Sequence, residues 1–257
     1  MEAFLLCDST DPQSVLPRCR AEGFGIEVQA FYHPAALADS NLVDATAEAI
    51  EGVTPLSVHG PFGDLCPGSF DPMVRDLARL RLERAHEVAV RLDAEHIVLH
   101  HGYVPHTSPP SGWIPRSRDF WRALLDRVTA KMRVHLENLL EIDPEMIAAV
   151  VDEVDRPNLD IALDIGHAHC RSRGSVLDWI EALGARIGYV HLHDNCGKED
   201  EHLALGAGTI PLPEVCAALE ERAPRALWAL EVAADDVEPS LGVLSGCGVQ
   251  VEQALPQ

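Results

Sequence analysis

Six side chains of metal-ligand type recur along the chain, each at or just beyond the end of a short apolar run: His59, His100, Glu137, Asp164, His191 and Glu231. Short apolar runs bounded by turns read as buried strands. If those strands lie parallel in one closed sheet, the six ends meet at one mouth. Carboxylates gathered in a cleft poor in water repel one another and are costly to desolvate, and a divalent cation is the simplest way to neutralise them. Salt-bridged strand ends are the plain alternative for Glu137 and Glu231. More donors surround the set. In Asp164-Ile165-Gly166-His167 the imidazole follows the carboxylate by one turn. In His191-Leu192-His193-Asp194 the two histidines share one strand face. Asp200 and His202, two residues apart, can chelate one ion.

The elements that must position these residues follow from periodicity. Strand candidates are Phe4–Cys7, Gly25–Val28, Leu56–His59, Ile97–His100, Val134–Glu137, Ile161–Asp164, Tyr189–His193 and Leu227–Val232. Longer segments of helical period separate them, the pattern of repeated βα units. Asp71–Leu92 reads as a helix with Leu77, Leu80, Leu82, Ala85 and Val88 on its buried face, and Asp143–Val154 as one opened by Asp143 as N-cap and Pro144 at N1. Lys131 falls in a helical pattern. Pro105–Pro115 reads as one long loop, Trp113 and Phe62 as aromatics on mouth loops, and His135 is assigned to the strand face opposite Glu137. Eight such units in residues 1–257 specify an α/β chain, a single (β/α)8 TIM barrel domain with its metal site at the C-terminal mouth. An open doubly wound sheet is the runner-up, but Cys7-Asp8-Ser9-Thr10 offers no glycine-rich dinucleotide turn after the first strand.

Composition narrows the chemistry. With 20 Lys+Arg against 41 Asp+Glu the formal net charge is −21, a field that repels polyanions, so nucleic acid is not the expected partner. The only lysines are Lys131 and Lys198, which leaves few candidates for Schiff-base chemistry. Seven scattered cysteines with no Cys-x-x-Cys read as reduced thiols. No stretch has the length and apolarity of a membrane span and no basic leader opens the chain, so the expected location is the cytoplasm.

In order and placement, His59-Gly60-Pro61-Phe62, His100-His101-Gly102, Leu136-Glu137-Asn138, Leu163-Asp164-Ile165-Gly166-His167-Ala168, His191-Leu192-His193-Asp194, Asp200-Glu201-His202 with Leu205-Gly206-Ala207-Gly208-Thr209-Ile210, and Leu230-Glu231 resemble the xylose-isomerase-like barrel superfamily over essentially the whole chain. That superfamily holds sugar isomerases and epimerases and the endonuclease IV family. The resemblance implies a single-metal cage of Glu137, Asp164, His191 and Glu231 with His167 close to substrate. Its endonuclease branch implies further ions, one on His59, His100 and Glu137 and another on His167, Asp200 and His202. His101 departs from that branch, which tends to have proline there.

Three readings follow. The first is a divalent-metal isomerase or epimerase of a small sugar, polyol or keto-sugar. In it Glu137 and Glu231 exchange the proton, His167 steadies the oxyanion, and His59, His100, His193 and Lys198 hold substrate. The second is phosphoester hydrolysis by a two- or three-zinc cluster, and the third a non-catalytic barrel that binds metal or sugar. The expected cofactor is zinc or manganese, one to three ions per chain. The expected partner is a carbohydrate, and the resemblance implies a homodimer.

Overall fold

The computed structural model describes residues 3–129 and 131–251. Eight parallel strands close into a barrel in chain order: β1 (Phe4–Cys7), β2 (Gly25–Val28), β3 (Leu56–His59), β4 (His96–His100), β5 (Arg133–Glu137), β6 (Leu159–Asp164), β7 (Ile187–Leu192) and β8 (Leu227–Leu230). Closure is made by β8 on β1, with Phe4 opposite Trp228 and Leu6 opposite Leu230. The sequence-based strands coincide at β1 to β3. β4 to β7 each begin one or two residues earlier than predicted, while β7 and β8 end before His193 and Glu231.

The helices between strands are α1 (Leu16–Glu22), α2 (Pro34–Ala38), α3 (Ser40–Ala49), α4 (Pro72–Arg91), α5 (Pro110–Leu125), α6 (Glu145–Val154), α7 (Ile165–Arg171), α8 (Val176–Leu183), α9 (Leu212–Arg222) and α10 (Val237–Gly246). Their apolar faces and the outward strand residues form the main core, where Trp121, Trp179 and Trp228 are fully buried. A smaller cluster of Leu5, Cys7, Val98, Ala162, Tyr189, Leu227 and Ala229 is separate from it. Among the described residues no helix is long and apolar enough to cross a membrane.

Several expectations need correction. Pro105–Pro115 is not all loop: α5 starts at Pro110, where proline's fixed φ and missing N–H are tolerated in the first turn. Trp113 is therefore not a mouth aromatic but a buried residue on the apolar face that continues through Phe120 and Trp121. On α4 the buried stripe is Ala78, Leu82, Ala85, Val88 and Ala89, while Leu77 and Leu80 point to solvent. The alanines explain the choice, because small side chains let the helix lie close to the strands. Asp71 caps α4 by accepting from Met73 N at 2.8 Å. Asp143 is not the N-cap, since α6 begins at Glu145 with Pro144 in that position. Lys131 lies past the end of α5, exposed in a turn.

His135 also faces the other way. With a strand period of two it shares the face of Glu137, and it sits fully buried against Tyr189. There it bonds to Asp160 on one nitrogen and to His96 Nδ1 at 2.9 Å on the other. Register slips between Ile161 and Ala162 on β6 where it pairs with β7, and the extra residue is Gly188, where a Cβ would overlap the Asp160 carboxylate.

Candidate metal centre

Parallel strands end together, and the C-terminal ends of β3 to β8 deliver the site. Glu137 at the end of β5 is its hub. Its Oε2 lies 2.9 Å from His59 Nε2 and 3.1 Å from His100 Nε2, while its Oε1 lies 3.2 Å from His191 Nδ1 and 3.4 Å from His167 Nδ1. Asp200 repeats the arrangement, its Oδ2 lying 2.9 Å from His167 Nε2 and 3.4 Å from His202 Nε2. Asp164 ends β6 and caps α7 by accepting from His167 N at 2.6 Å, which fixes the spacing of carboxylate and imidazole. His191 Nδ1 points among three carboxylates: Glu137, Glu231 Oε2 at 3.4 Å and Asp164 Oδ2 at 3.7 Å. All nine residues of the sequence-derived ligand set therefore lie in one connected cluster.

Backbone anchors choose which ring nitrogen faces inward. A carbonyl oxygen can only accept, so the Nδ1 of His59, His167 and His202 must donate, to Gly60 O (2.9 Å), Asn138 O (2.8 Å) and Glu231 O (3.3 Å). Each Nε2 is left for the cluster. His202 does this from a left-handed backbone, φ +48, a strained conformation for a non-glycine residue. The loop that carries it is shaped by buried Asp194, which accepts from the N–H groups of Gly206 and Gly208 (both 3.0 Å) and Ile210 (3.1 Å). Gly206-Ala207-Gly208 is thus a turn folded around an internal carboxylate.

Burial raises the carboxyl groups, but the facing imidazoles outweigh it. His100 and His191 hold Glu137 well below the usual range, His167 and His193 bring Asp164 down to about 2, and His167 and His202 lower Asp200. Reciprocally, burial lowers the histidines but is overcome. Glu137 lifts His59 to about 9, Asp200 and Glu231 lift His202 to about 9, and His167 and His191 are driven well up by their carboxylates. Protonated imidazoles here supply the positive charge that the four clustered carboxylates, Glu137, Asp164, Asp200 and Glu231, demand.

The donor set fits divalent cations. Asp200 Oδ1 and Glu231 Oε2 are buried without a hydrogen-bond partner, which is the condition a coordinated ion relieves. One ligand atom from each member of His59–Glu137–His191, of Glu137–Asp164–His167, and of His167–His193–Asp200–His202 falls within 4.8 Å of the others. Mixed imidazole and carboxylate donors suit zinc and manganese alike.

The remaining sequence candidates are placed less centrally. His193 is fully buried, with its Nε2 3.1 Å from both Asp164 oxygens and its ring stacked on His202 at 3.9 Å, so it meets Asp164 rather than open space. Gly166 makes room for that ring, since a Cβ there would overlap it. Lys198 is exposed in the loop after β7 and bonds to no described residue. His101 turns away, its Nδ1 to Glu141 and its Nε2 accepting from Trp113. Phe62 does stand at the mouth, half exposed, stacked on Tyr32 at 5.4 Å and within 5.5 Å of the His59 and His100 rings.

Sequence reasoning missed Glu27 and Gln29. Glu27 is wholly buried in β2; burial raises its carboxyl, but His191 prevails and holds it at about 2. Gln29 Nε2 donates to Glu231 Oε1 at 2.7 Å. The signal was present in Gly25-Ile26-Glu27-Val28-Gln29, where polar residues alternate through an otherwise apolar strand.

Residues 20–248 match the family model described as xylose isomerase-like TIM barrel. An uncharacterized protein of Methanocaldococcus jannaschii, MJ1311, is 36% identical over 178 residues, 64% of this chain and 59% of its own length. The match therefore spans about three fifths of that relative. A probable endonuclease 4 of Mycobacterium tuberculosis is 26% identical over 219 residues, covering 80% of this chain and 84% of that one. Among solved structures, a Thermus thermophilus protein, TTHB071, soaked with ZnCl2, is 30% identical with a TM-score of 0.79, covering 95% and 96% of the two chains. A D-tagatose 3-epimerase-like protein is 27% identical with a TM-score of 0.76 and the same coverages.

Proposed function

The chain belongs to the xylose isomerase-like TIM barrel family, and from that premise we propose that it is a metal-dependent hydrolase of a small phosphorylated carbohydrate. The observation that carries this reading is Glu137. Both of its oxygens are engaged, Oε2 by the Nε2 atoms of His59 and His100 and Oε1 by His191 Nδ1, as suits a carboxylate that two cations would share. His59 and His100 are then ligands rather than substrate contacts, and Asp200 with His167 and His202 forms a further position. Bound there, divalent ions would supply positive charge to the phosphoryl oxygens and acidify a water molecule.

The chain's own side chains do the rest. Glu137, Asp164 and Asp200 stay ionised, and the anchored rings of His59, His167 and His202 keep their Nε2 atoms aimed at the cluster. The stacked Tyr32 and Phe62 offer an apolar wall beside His59 and His100 for the sugar's face. Lys198 is near enough in sequence to Asp200 to meet an anionic group at the rim. In the reaction the oxygen of water forms a new P–O bond, the ester P–O bond breaks, and the sugar leaves as its alcohol. The net charge of −21 disfavours a polyanionic duplex and leaves small phosphoesters as the better match.

Epimerisation or isomerisation of a sugar, polyol or keto-sugar is the second reading. It is favoured by Glu231, whose buried Oε2 lacks a hydrogen-bond partner and whose side chain is 16% exposed at the mouth. It draws support from the likeness to the D-tagatose 3-epimerase-like structure.

Metal analysis by inductively coupled plasma mass spectrometry, on protein purified without chelator or nickel, separates the two. Two or three zinc ions per chain, with release of inorganic phosphate from sugar phosphates that Asp200→Ala abolishes, support hydrolysis. One ion per chain, with exchange of a substrate C–H proton into deuterated water that Glu231→Gln abolishes, supports epimerisation and overturns the hydrolytic reading.

A further inference from the structure

β1 and β2 supply none of the nine ligand candidates, yet β2 sends a fully buried carboxylate toward the cluster. Both oxygens of Glu27 lie 3.0 Å from His191 Nε2. Oε2 also accepts from the Tyr189 hydroxyl at 2.7 Å, and Oε1 from Gln29 Nε2 at 3.2 Å and the Cys7 thiol at 3.5 Å. A carboxylate that already accepts from three other groups is fixed in place and cannot donate. His191 must therefore carry a proton on Nε2.

The consequence is a ring set the opposite way round from its neighbours. His59, His167 and His202 are anchored through Nδ1 by backbone carbonyls and present Nε2. His191 is anchored through Nε2 by a charged side chain and presents Nδ1, which lies within 3.7 Å of Glu137, Glu231 and Asp164. Gln29 acts alike on a second member, donating to Glu231 Oε1 and leaving Oε2 turned toward His191. The Gln29 backbone is pinned in turn by Asp8 Oδ1, which accepts from its N–H at 2.9 Å.

Resting on the reading of Glu137, Asp164, His191 and Glu231 as a cation cage, we propose that Glu27 is the positioning residue of that cage. It fixes the tautomer and ring orientation of His191 so that Nδ1 is the ligand atom, and it binds no ion itself. A carboxylate behind a ligating imidazole also raises the basicity of the ligand nitrogen. The competing arrangement is on the same residues: Cys7, Glu27 and His191 offer ligand atoms within 4.8 Å of one another, and an ion held there would sit on His191 Nε2.

Long-range proton–nitrogen correlation spectra of the uniformly 15N-labelled, zinc-loaded wild-type chain decide between these without any variant. The expected result is a protonated Nε2 and a zinc-bearing Nδ1 at His191. Zinc on Nε2 overturns the proposal. Chelator competition on Glu27→Gln, with folding checked by near-ultraviolet circular dichroism, should show zinc affinity at the cage lowered by about 10- to 100-fold, the effect typical of lost outer partners. A folded Glu27→Gln chain with wild-type affinity overturns the proposal while leaving the metal reading intact. A wild-type chain that takes up no zinc overturns both.

Discussion

At the scale of single residues, Asn138 shows how the chain holds a candidate ligand carboxylate still. Its side-chain amide donates to Asp164 O at 3.0 Å and its Oδ1 accepts from Asp164 N at 2.9 Å, closing a two-bond clamp between adjacent strands. Asn138→Ala leaves a buried N–H and a buried carbonyl without partners, each worth about 1–3 kcal/mol. Urea denaturation should show a loss of about 2–4 kcal/mol, and an unchanged midpoint would remove the clamp from the account. Gly166→Ala tests the neighbouring contact. The new Cβ must displace His193 from Asp164, so stability falls by about 1–3 kcal/mol as for an overpacked core, and zinc affinity measured by chelator competition falls with it. Six of the ligand candidates, His59, His100, Glu137, Asp164, His191 and Glu231, were legible because each stands at or just beyond the end of an apolar run. Glu27 was not. It lies inside its strand rather than at the end, and its role appears only when β7 is folded across the barrel from β2.

At the scale of elements, legibility followed how much each signal depends on tertiary neighbours. Strand positions came through because buried parallel strands are near-continuous apolar runs whatever surrounds them. Helix faces came through in part: on α4 Leu82, Ala85 and Val88 are buried as read, but Leu77 and Leu80 satisfy the helical period as well as Ala78 and Ala89 do, and only the closeness of strand and helix selects the alanines. Leu82→Ala should therefore cost about 2–5 kcal/mol in thermal or urea unfolding, whereas Leu80→Ala, 59% exposed, should stay within about 0.5 kcal/mol. Equal effects would return Leu80 to the buried face. The start of α5 was masked by its composition: Pro109, Pro110 and Pro115 look like loop residues, and the anchor that overrides them is Trp113, buried behind β4 against His101 and Tyr103.

At the scale of the whole molecule, the metal-free cluster balances its carboxylates with protonated histidines, and that balance depends on pH. His59 and His202 titrate at about 9 in the fold against an ordinary 6.5. A raised histidine stabilises fully below 6.5 and loses that contribution as pH climbs through 9. Asp8, pushed up to about 7 by burial, works in the same sense but between 3.8 and 7. His96, lowered to about 3 by burial and by His135, works in the opposite sense below 6.5. From pH 7 to 9 the histidines of the cluster therefore dominate, and the buried thiols of Cys7, Cys19 and Cys216, raised by burial from an ordinary 9, add to the loss in the same sense only toward the upper end. Over that interval, the urea midpoint of metal-free protein should fall steadily. On the proposed reading, zinc would turn the same rings into neutral ligands and supply the charge that their protons otherwise bring. The zinc-loaded midpoint should stay level or rise, and zinc affinity should increase with pH because binding expels protons. Parallel curves for the two forms would mean that the raised histidines serve ion pairing alone, and that the cluster holds its shape with no need of a cation.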